Sequence, residues 1–280
     1  MNFYQKLITN KSGPLLMGII NLTPDSFYDG GKYINISNSI KKAQEMVENK
    51  VDIIDLGAAS SRPGAKLISL KEEENRLFPT LIKIRELFPN INISIDTYRY
   101  QIAEQAIKYG ANIINDIYVN KDEKQMFNVI KKYNTPYILM HMLGEPMTMQ
   151  NNIQYNSFNQ EIIDFFTKKI KLLRDDGFKK IIIDPGFGFG KTLNQNYELI
   201  NMIPELKKFS YPILAGISRK SMISKGLNIN TADSLIGTVA ANTICLIKGA
   251  DIIRVHDIKA GKETIDIVNL VKHNATQIKS

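Results

Sequence analysis

The chain holds one cysteine and no tryptophan in 280 residues, and none of its apolar runs approaches the roughly 18 residues that a membrane span requires. A lone thiol rules out a disulfide framework, so the fold must hold by core packing, and a reducing, cytoplasmic setting is expected. That thiol, Cys245, lies in the apolar stretch TVAANTICLI, where a small buried hydrophobe is the ordinary role. The opening residues, MNFYQKLITNKSGP, lack both the charged-then-apolar order of a secretory signal and the Arg/Ser bias of a transit peptide. There is no HExxH, no zinc-spaced set of His, Cys and carboxylates, and no G-x-S-x-G elbow. PGFGFGKT at 185–192 resembles a phosphate loop, but Pro185 stands where the first glycine is needed, and Lys191 breaks the dinucleotide pattern. The segment reads better as a flexible strand-to-helix turn, with Phe187 and Phe189 as packing or stacking groups.

The net charge is +8, yet the lysines are scattered in pairs such as Lys41-Lys42 and Lys207-Lys208, with no interleaved aromatics for base stacking. This reads as a solvated surface, and no nucleic-acid or membrane partner is expected. A positive field does suit a small anionic substrate.

What the chain has in quantity is isoleucine-rich runs of strand length, at 15–23, 52–57, 92–97, 113–117, 137–142, 181–186, 212–218 and 251–256. They are continuously apolar rather than alternating, as in parallel strands covered on both faces. Helical spacing fills the intervals at 37–49, 70–88, 99–109, 122–133, 159–176, 196–208, 232–248 and 259–274. Eight alternations with no linker predict a single α/β domain over 1–280, a (β/α)8 TIM barrel. Right-handed crossovers then put every strand's C-terminal end on one rim, the rim that carries chemistry in this architecture.

Each predicted strand ends on a polar group: Asn21, Asp55, Asp96, Asn115-Asp116, His141, Asp184, Ser218 with Lys220, and Arg254 with His256. Asp96, Asn115 and Asp184 point into one mouth. Carboxylates only accept hydrogen bonds, while an amide both donates and accepts, so the trio suits a 2-amino-4-oxo pyrimidine-like ring. Asp116 reads instead as a cap for its own helix. Ser218 is the predicted N-cap of a helix whose first amides, near Arg219, Lys220 and Ser221, make an anion site. Arg254 and His256, two apart on a strand, share a face beside it and suit phosphate oxygens; a structural ion pair is the alternative for Arg254. GAASSRPGA at 57–65 reads as a mobile lid.

The strings MGIINLTPDSFYDGG, SSRPGA, SIDT, NDI, LMHM, GEPMTMQ, DPGFGFGK, SRKSMI and RVHD, in this order along nearly the whole chain, resemble the dihydropteroate synthase family. The resemblance implies a TIM barrel that joins (7,8-dihydropterin-6-yl)methyl diphosphate to 4-aminobenzoate, releasing diphosphate in folate biosynthesis. It also implies Mg2+ as cofactor, sulfonamide drugs as inhibitors, and a homodimer. Carried over by position, Asp96, Asn115, Asp184 and Lys220 match pterin-binding positions, and Asn21 matches the metal-linked one. Arg254 and His256 match the diphosphate grip and, with Lys220, the catalytic set. Ser61 and Ser221 match positions near the aminobenzoate, and Arg62 and Val255 complete the implied substrate contacts. The second loop departs from the family's GGESTRPGA, with Ala58, Ala59 and Ser61 in place of Gly, Glu and Thr, and Tyr98-Arg99 replaces Ser-Lys. Loops 24–36 and 58–68 are expected to close only over bound pterin diphosphate and metal. Rival readings are a pterin-binding methyltransferase barrel, which has no use for a diphosphate grip, and a catalytically silent binding barrel.

Overall fold

The computed structural model describes residues 3–9, 13–23, 32–59, 68–119, 121–145, 148–150 and 153–277. The first half runs α1 (Phe3–Thr9), β1 (Leu15–Asn21), α2 (Lys32–Glu48), β2 (Ile53–Gly57), α3 (Leu70–Leu87), β3 (Asn92–Asp96), α4 (Tyr100–Lys108) and β4 (Ile113–Asp116). It continues with α5 (Glu123–Tyr133), β5 (Tyr137–Met140), α6 (Phe158–Asp175), β6 (Ile181–Asp184), α7 (Leu193–Asn201) and α8 (Ile203–Leu206). The last elements are β7 (Leu214–Ala215), α9 (Ser221–Leu227), α10 (Leu235–Ile247), β8 (Ile252–Val255) and α11 (Ile258–Gln277). All eight strands pair in parallel in the order β6-β5-β4-β3-β2-β1-β8-β7. A bridge between Ile183 and Ile213 brings the two ends of the sheet together, and the barrel closes as expected.

Strand alternation sorts the side chains. Leu16, Ile20 and Ile54 point outward and pack with helix residues such as Met46, Leu77 and Leu81. Leu15, Met17, Ile53, Ile113, Ile138 and Ile182 point inward and fill the lower barrel. Each such aliphatic side chain, fully buried, stabilises the fold by about 1.5–3 kcal/mol. Helix α1 seals the floor: Tyr4 and Leu7 join the inward cluster, and the Tyr4 hydroxyl lies 2.9 Å from the carbonyl oxygens of Lys179 and Ile181. That helix has no counterpart in the expected pattern. One step above the floor, the same period of two places Asp55, Asn115, Asp184 and Arg254 over Ile53, Ile113, Ile182 and Ile252.

Several boundaries differ from expectation; α2, for example, begins at Lys32 rather than at 37. Three of the differences have a direct physical reason. The seventh run forms a strand only at Leu214–Ala215, beyond the Ile213 bridge, because the chain then turns and Arg219 takes a left-handed φ of 54°. The stretch expected as one helix over 196–208 starts earlier, at the Thr192–Gln195 capping box, and breaks before Pro204, whose ring cannot continue it. The helix after β7 begins at Ser221 with Lys220 at its N-cap, not Ser218. The Ser218 hydroxyl instead accepts the backbone N–H of His256 at 3.2 Å, tying the end of the seventh run to the end of β8.

Candidate active site

The C-terminal mouth of the barrel gathers Asp55, Asp96, Asn115, Asp184, Lys220, Arg254 and His256. Asp96 and Asn115 are register partners across β3 and β4. Arg254 is the hub. Its Nε donates to Asp55 Oδ2 at 2.7 Å, and its Nη2 lies 2.6 Å from Asp55 Oδ2 and 3.0 Å from Asp96 Oδ2. Burial opposes the guanidinium charge, but the two carboxylates outweigh it and its pKa is raised. Burial also pushes the Asp96 carboxyl above the usual carboxylate range against the pull of Arg254, with Asp55 adding repulsion.

Asn115 is buried, and its Nδ2 faces Asp55 at 3.4–3.5 Å. Its Oδ1 is buried without a hydrogen-bond partner among the described residues. An orphaned acceptor costs about 1–3 kcal/mol, and a ligand N–H in the mouth would relieve it. Asp184 Oδ1 accepts from the Gly186 N–H at 2.8 Å, and burial raises its pKa, offset first by Lys220. Lys220 Nζ donates to the Phe187 carbonyl and sits 4.6 Å from the centre of the Phe189 ring. Burial pushes its pKa down to about 8, with Asp184 opposing and Arg254 assisting. Burial, then Arg254 and Lys42, push His256 down to about 4, so it is neutral at pH 7, with Nδ1 3.3 Å from Ser218 Oγ. Ile117, Met140, Met142, Met149 and Phe189 form an apolar cluster at and just beyond the ends of β4, β5 and β6. An apolar wall beside buried acceptors and cations suits a flat, polar-edged ring.

Other expected residues fall elsewhere. The Val255 side chain lies in the outer core, packed toward α11, so it is not among the groups at the mouth. Ser221 is exposed at the first position of α9. Asp116 faces away from the mouth and is structural, although by holding the Tyr118 N–H and the Tyr137 hydroxyl rather than by capping a helix. His141 also leaves the mouth and contacts Lys191. Ser61, Arg62 and most of both expected closing loops, at 24–31 and 60–67, lie outside the described residues. Arg99, the family departure after β3, binds Glu73 and the Ile68 carbonyl. The residue sequence reasoning undervalued is Asp55, fully buried in mid-strand. A carboxylate inside the apolar run IIDLG was the available signal.

Among the described residues, no three His, Cys, Asp or Glu side chains gather to hold a metal. Asn21, half-buried at the end of β1 beside Gly57, offers a single amide oxygen. Mg2+ keeps several waters and is usually bound through one or two carboxylates plus substrate phosphates, so the Asn21 oxygen fits it as one neutral ligand, with substrate phosphates and water completing the shell.

Fold and mouth together define a pterin-binding (β/α)8 barrel, and a family model for pterin binding enzymes matches residues 17–256. Dihydropteroate synthase of Clostridium beijerinckii is 43% identical over 259 residues, covering 91% of this chain and 93% of that protein. The structure of Yersinia pestis dihydropteroate synthase with a sulfonamide drug superposes with a TM-score of 0.87 at 38% identity, covering 94% and 95% of the two chains. That of Xanthomonas albilineans dihydropteroate synthase with 4-aminobenzoic acid gives 0.85 at 30% identity, covering 94% of each. The chain belongs to the dihydropteroate synthase family.

Proposed function

We propose that this chain condenses (7,8-dihydropterin-6-yl)methyl diphosphate with 4-aminobenzoate, giving 7,8-dihydropteroate and diphosphate. The observation that carries the reading is the unpartnered Asn115 Oδ1, set between buried Asp96 and Asp184. Three acceptor-rich groups answer the N–H edge of a 2-amino-4-oxo ring, and Lys220 supplies a donor beside Asp184. Arg254 and His256 take the diphosphate. On arrival of the ligand, Arg254 exchanges part of its ion pairing with Asp55 and Asp96 for phosphate oxygens.

In the reaction the C–O bond to diphosphate breaks, and its electron pair leaves with the diphosphate. The aryl amine nitrogen forms the new C–N bond and sheds a proton to water. Electron donation from the reduced pterin ring stabilises the developing cationic methylene, so bond breaking runs ahead of bond making. The amine is already neutral at physiological pH, which explains why the mouth needs no base–nucleophile pair. Neutral His256 donates a hydrogen bond to the leaving group, and Arg254 supplies fixed charge. Mg2+, held by Asn21 and the diphosphate, would add charge neutralisation at the leaving oxygens.

We also infer a cytoplasmic homodimer. Ile244 and Ile247 on α10 and Ile267, Leu270 and Val271 on α11 are exposed, and these two helices pack side by side. Such a patch is expected to be covered by a second copy, which sedimentation can test. Catalysis is tested by incubating the purified chain with the pterin diphosphate, Mg2+ and labelled 4-aminobenzoate. Labelled dihydropteroate is expected. Diphosphate release that ignores 4-aminobenzoate would overturn the reading.

A further inference from the structure

The turn that follows β6 contains a buried lysine that the reaction does not use. Lys191 is 3% exposed, yet it sits outside the ring of mouth residues. Its Nζ lies 3.0 Å from His141 Nδ1 and donates to three carbonyl oxygens: Gly186 at 2.9 Å, Phe189 at 3.0 Å and His141 at 3.3 Å. One ammonium group thus ties the end of β5 to both halves of the 186–190 turn.

The turn is built to come this close. Gly186 has φ +72°, and a Cβ there would fall 1.9 Å from the His141 carbonyl oxygen. Gly190 has φ +62°, and a Cβ there would fall 2.6 Å from the Leu143 carbonyl oxygen. Only glycine tolerates both the conformation and the approach. His141 is wedged edge-on against Phe165, their ring centres 4.8 Å apart, and the Tyr155 hydroxyl holds the Gly190 carbonyl at 2.9 Å.

The other side of the same turn shapes the mouth. The Phe187 carbonyl and the Phe189 ring are the two groups that seat Lys220, and the Gly186 N–H holds Asp184. Lys191 grips the carbonyls of Gly186 and Phe189, which bracket Phe187 and Gly188. We propose that Lys191 is a positioning residue for the pterin site, fastening the 186–190 turn to the end of β5 so that the turn fixes Lys220 and Asp184. The inference rests on the assignment of Lys220 to pterin binding. A long, flexible cation does here what an apolar side chain cannot, since the convergent carbonyl oxygens need a common donor. Burial lowers the pKa of Lys191 and of His141 well below their ordinary values, in keeping with a site closed to water.

The test is a double-mutant cycle read by calorimetry with a pterin lacking the diphosphate, on Lys191→Met, Lys220→Met and the double variant. Each single change is expected to weaken pterin binding by about tenfold or more, and the double variant by little more than either alone. The KM for 4-aminobenzoate should stay within about twofold in Lys191→Met. Additive losses, or a loss in Lys220→Met with none in Lys191→Met, would overturn the positioning role while leaving the proposed function standing. Intact affinity in Lys220→Met removes the assignment and the inference together. Should Lys191→Met not fold, nitrogen-15 NMR of wild-type His141 decides. A ring that stays neutral from pH 5 to 8 supports the closed tie, and titration near its ordinary value of about 6.5 refutes it.

Discussion

Replacing Arg254 by Met leaves Asp55, Asp96 and Asn115 in place and removes the only cation that binds both carboxylates among the described residues. Breaking a buried pair in this way costs about 3–5 kcal/mol, because the partners stay buried and uncompensated. At roughly 2.1 cal/mol/K per residue over the chain, that is a Tm loss of about 5–8 °C. The loss must depend on pH. Burial holds Asp96 above its unfolded value, at about 7, so its protonated form favours the folded state and that advantage fades as pH rises through the folded value. Without the pull of Arg254 the folded value rises further, and the defect grows with pH. Thermal melts of both proteins at pH 5 and pH 8 should show the full Tm loss at pH 8 and under half of it at pH 5. An equal loss at both, or none at pH 8, would refute the buried carboxylate–guanidinium cluster.

Other consequences are tested by kinetics and binding. His256→Ala should lower turnover by about tenfold or more while sparing the affinity of a pterin that lacks the diphosphate; equal losses for both would make His256 structural. Because burial holds His256 at about 4, the wild-type rate profile should show no His256 inflection near pH 6.5. Ser221→Ala should raise the 4-aminobenzoate KM several-fold with pterin Kd unchanged, and a matching rise in pterin Kd would merge the two subsites. Equilibrium dialysis should find negligible 4-aminobenzoate binding until pterin diphosphate or diphosphate with Mg2+ is present, and tight binding to the free protein would exclude ordered addition.

Much of this architecture was legible in the residues because the signal is periodic. Eight isoleucine-rich runs ending in polar groups fit a closed parallel barrel more naturally than an open doubly wound sheet, and the period of two carries Asp184 above Ile182 and Arg254 above Ile252. What stayed hidden depends on contacts between distant strands. Asp55 looks like one more strand-end carboxylate until Arg254, 199 residues away, is seen bound to it. Ser218 has the composition of an N-cap, but a turn at Arg219 with φ of 54° moves the helix start to Ser221 and hands the hydroxyl to His256. His141 ends a strand like the others, yet the carbonyl cluster around Lys191 turns it away from the mouth. Helix α1 was missed because seven residues hold too few turns to show a period, and its order comes from packing Tyr4 and Leu7 onto the barrel floor.

On the proposed function, buried acceptors at the barrel mouth read the N–H edge of a pterin. The most direct test is calorimetric titration of a pterin lacking the diphosphate into the wild-type protein and Asp184→Asn. The amide would turn an NH2 toward the ligand's own donors while still offering an oxygen to Gly186, at a cost of about 1–3 kcal/mol. Pterin affinity should fall by about 5- to 150-fold in a variant that melts within a few degrees of wild type. Unchanged pterin affinity in a folded Asp184→Asn protein would contradict it.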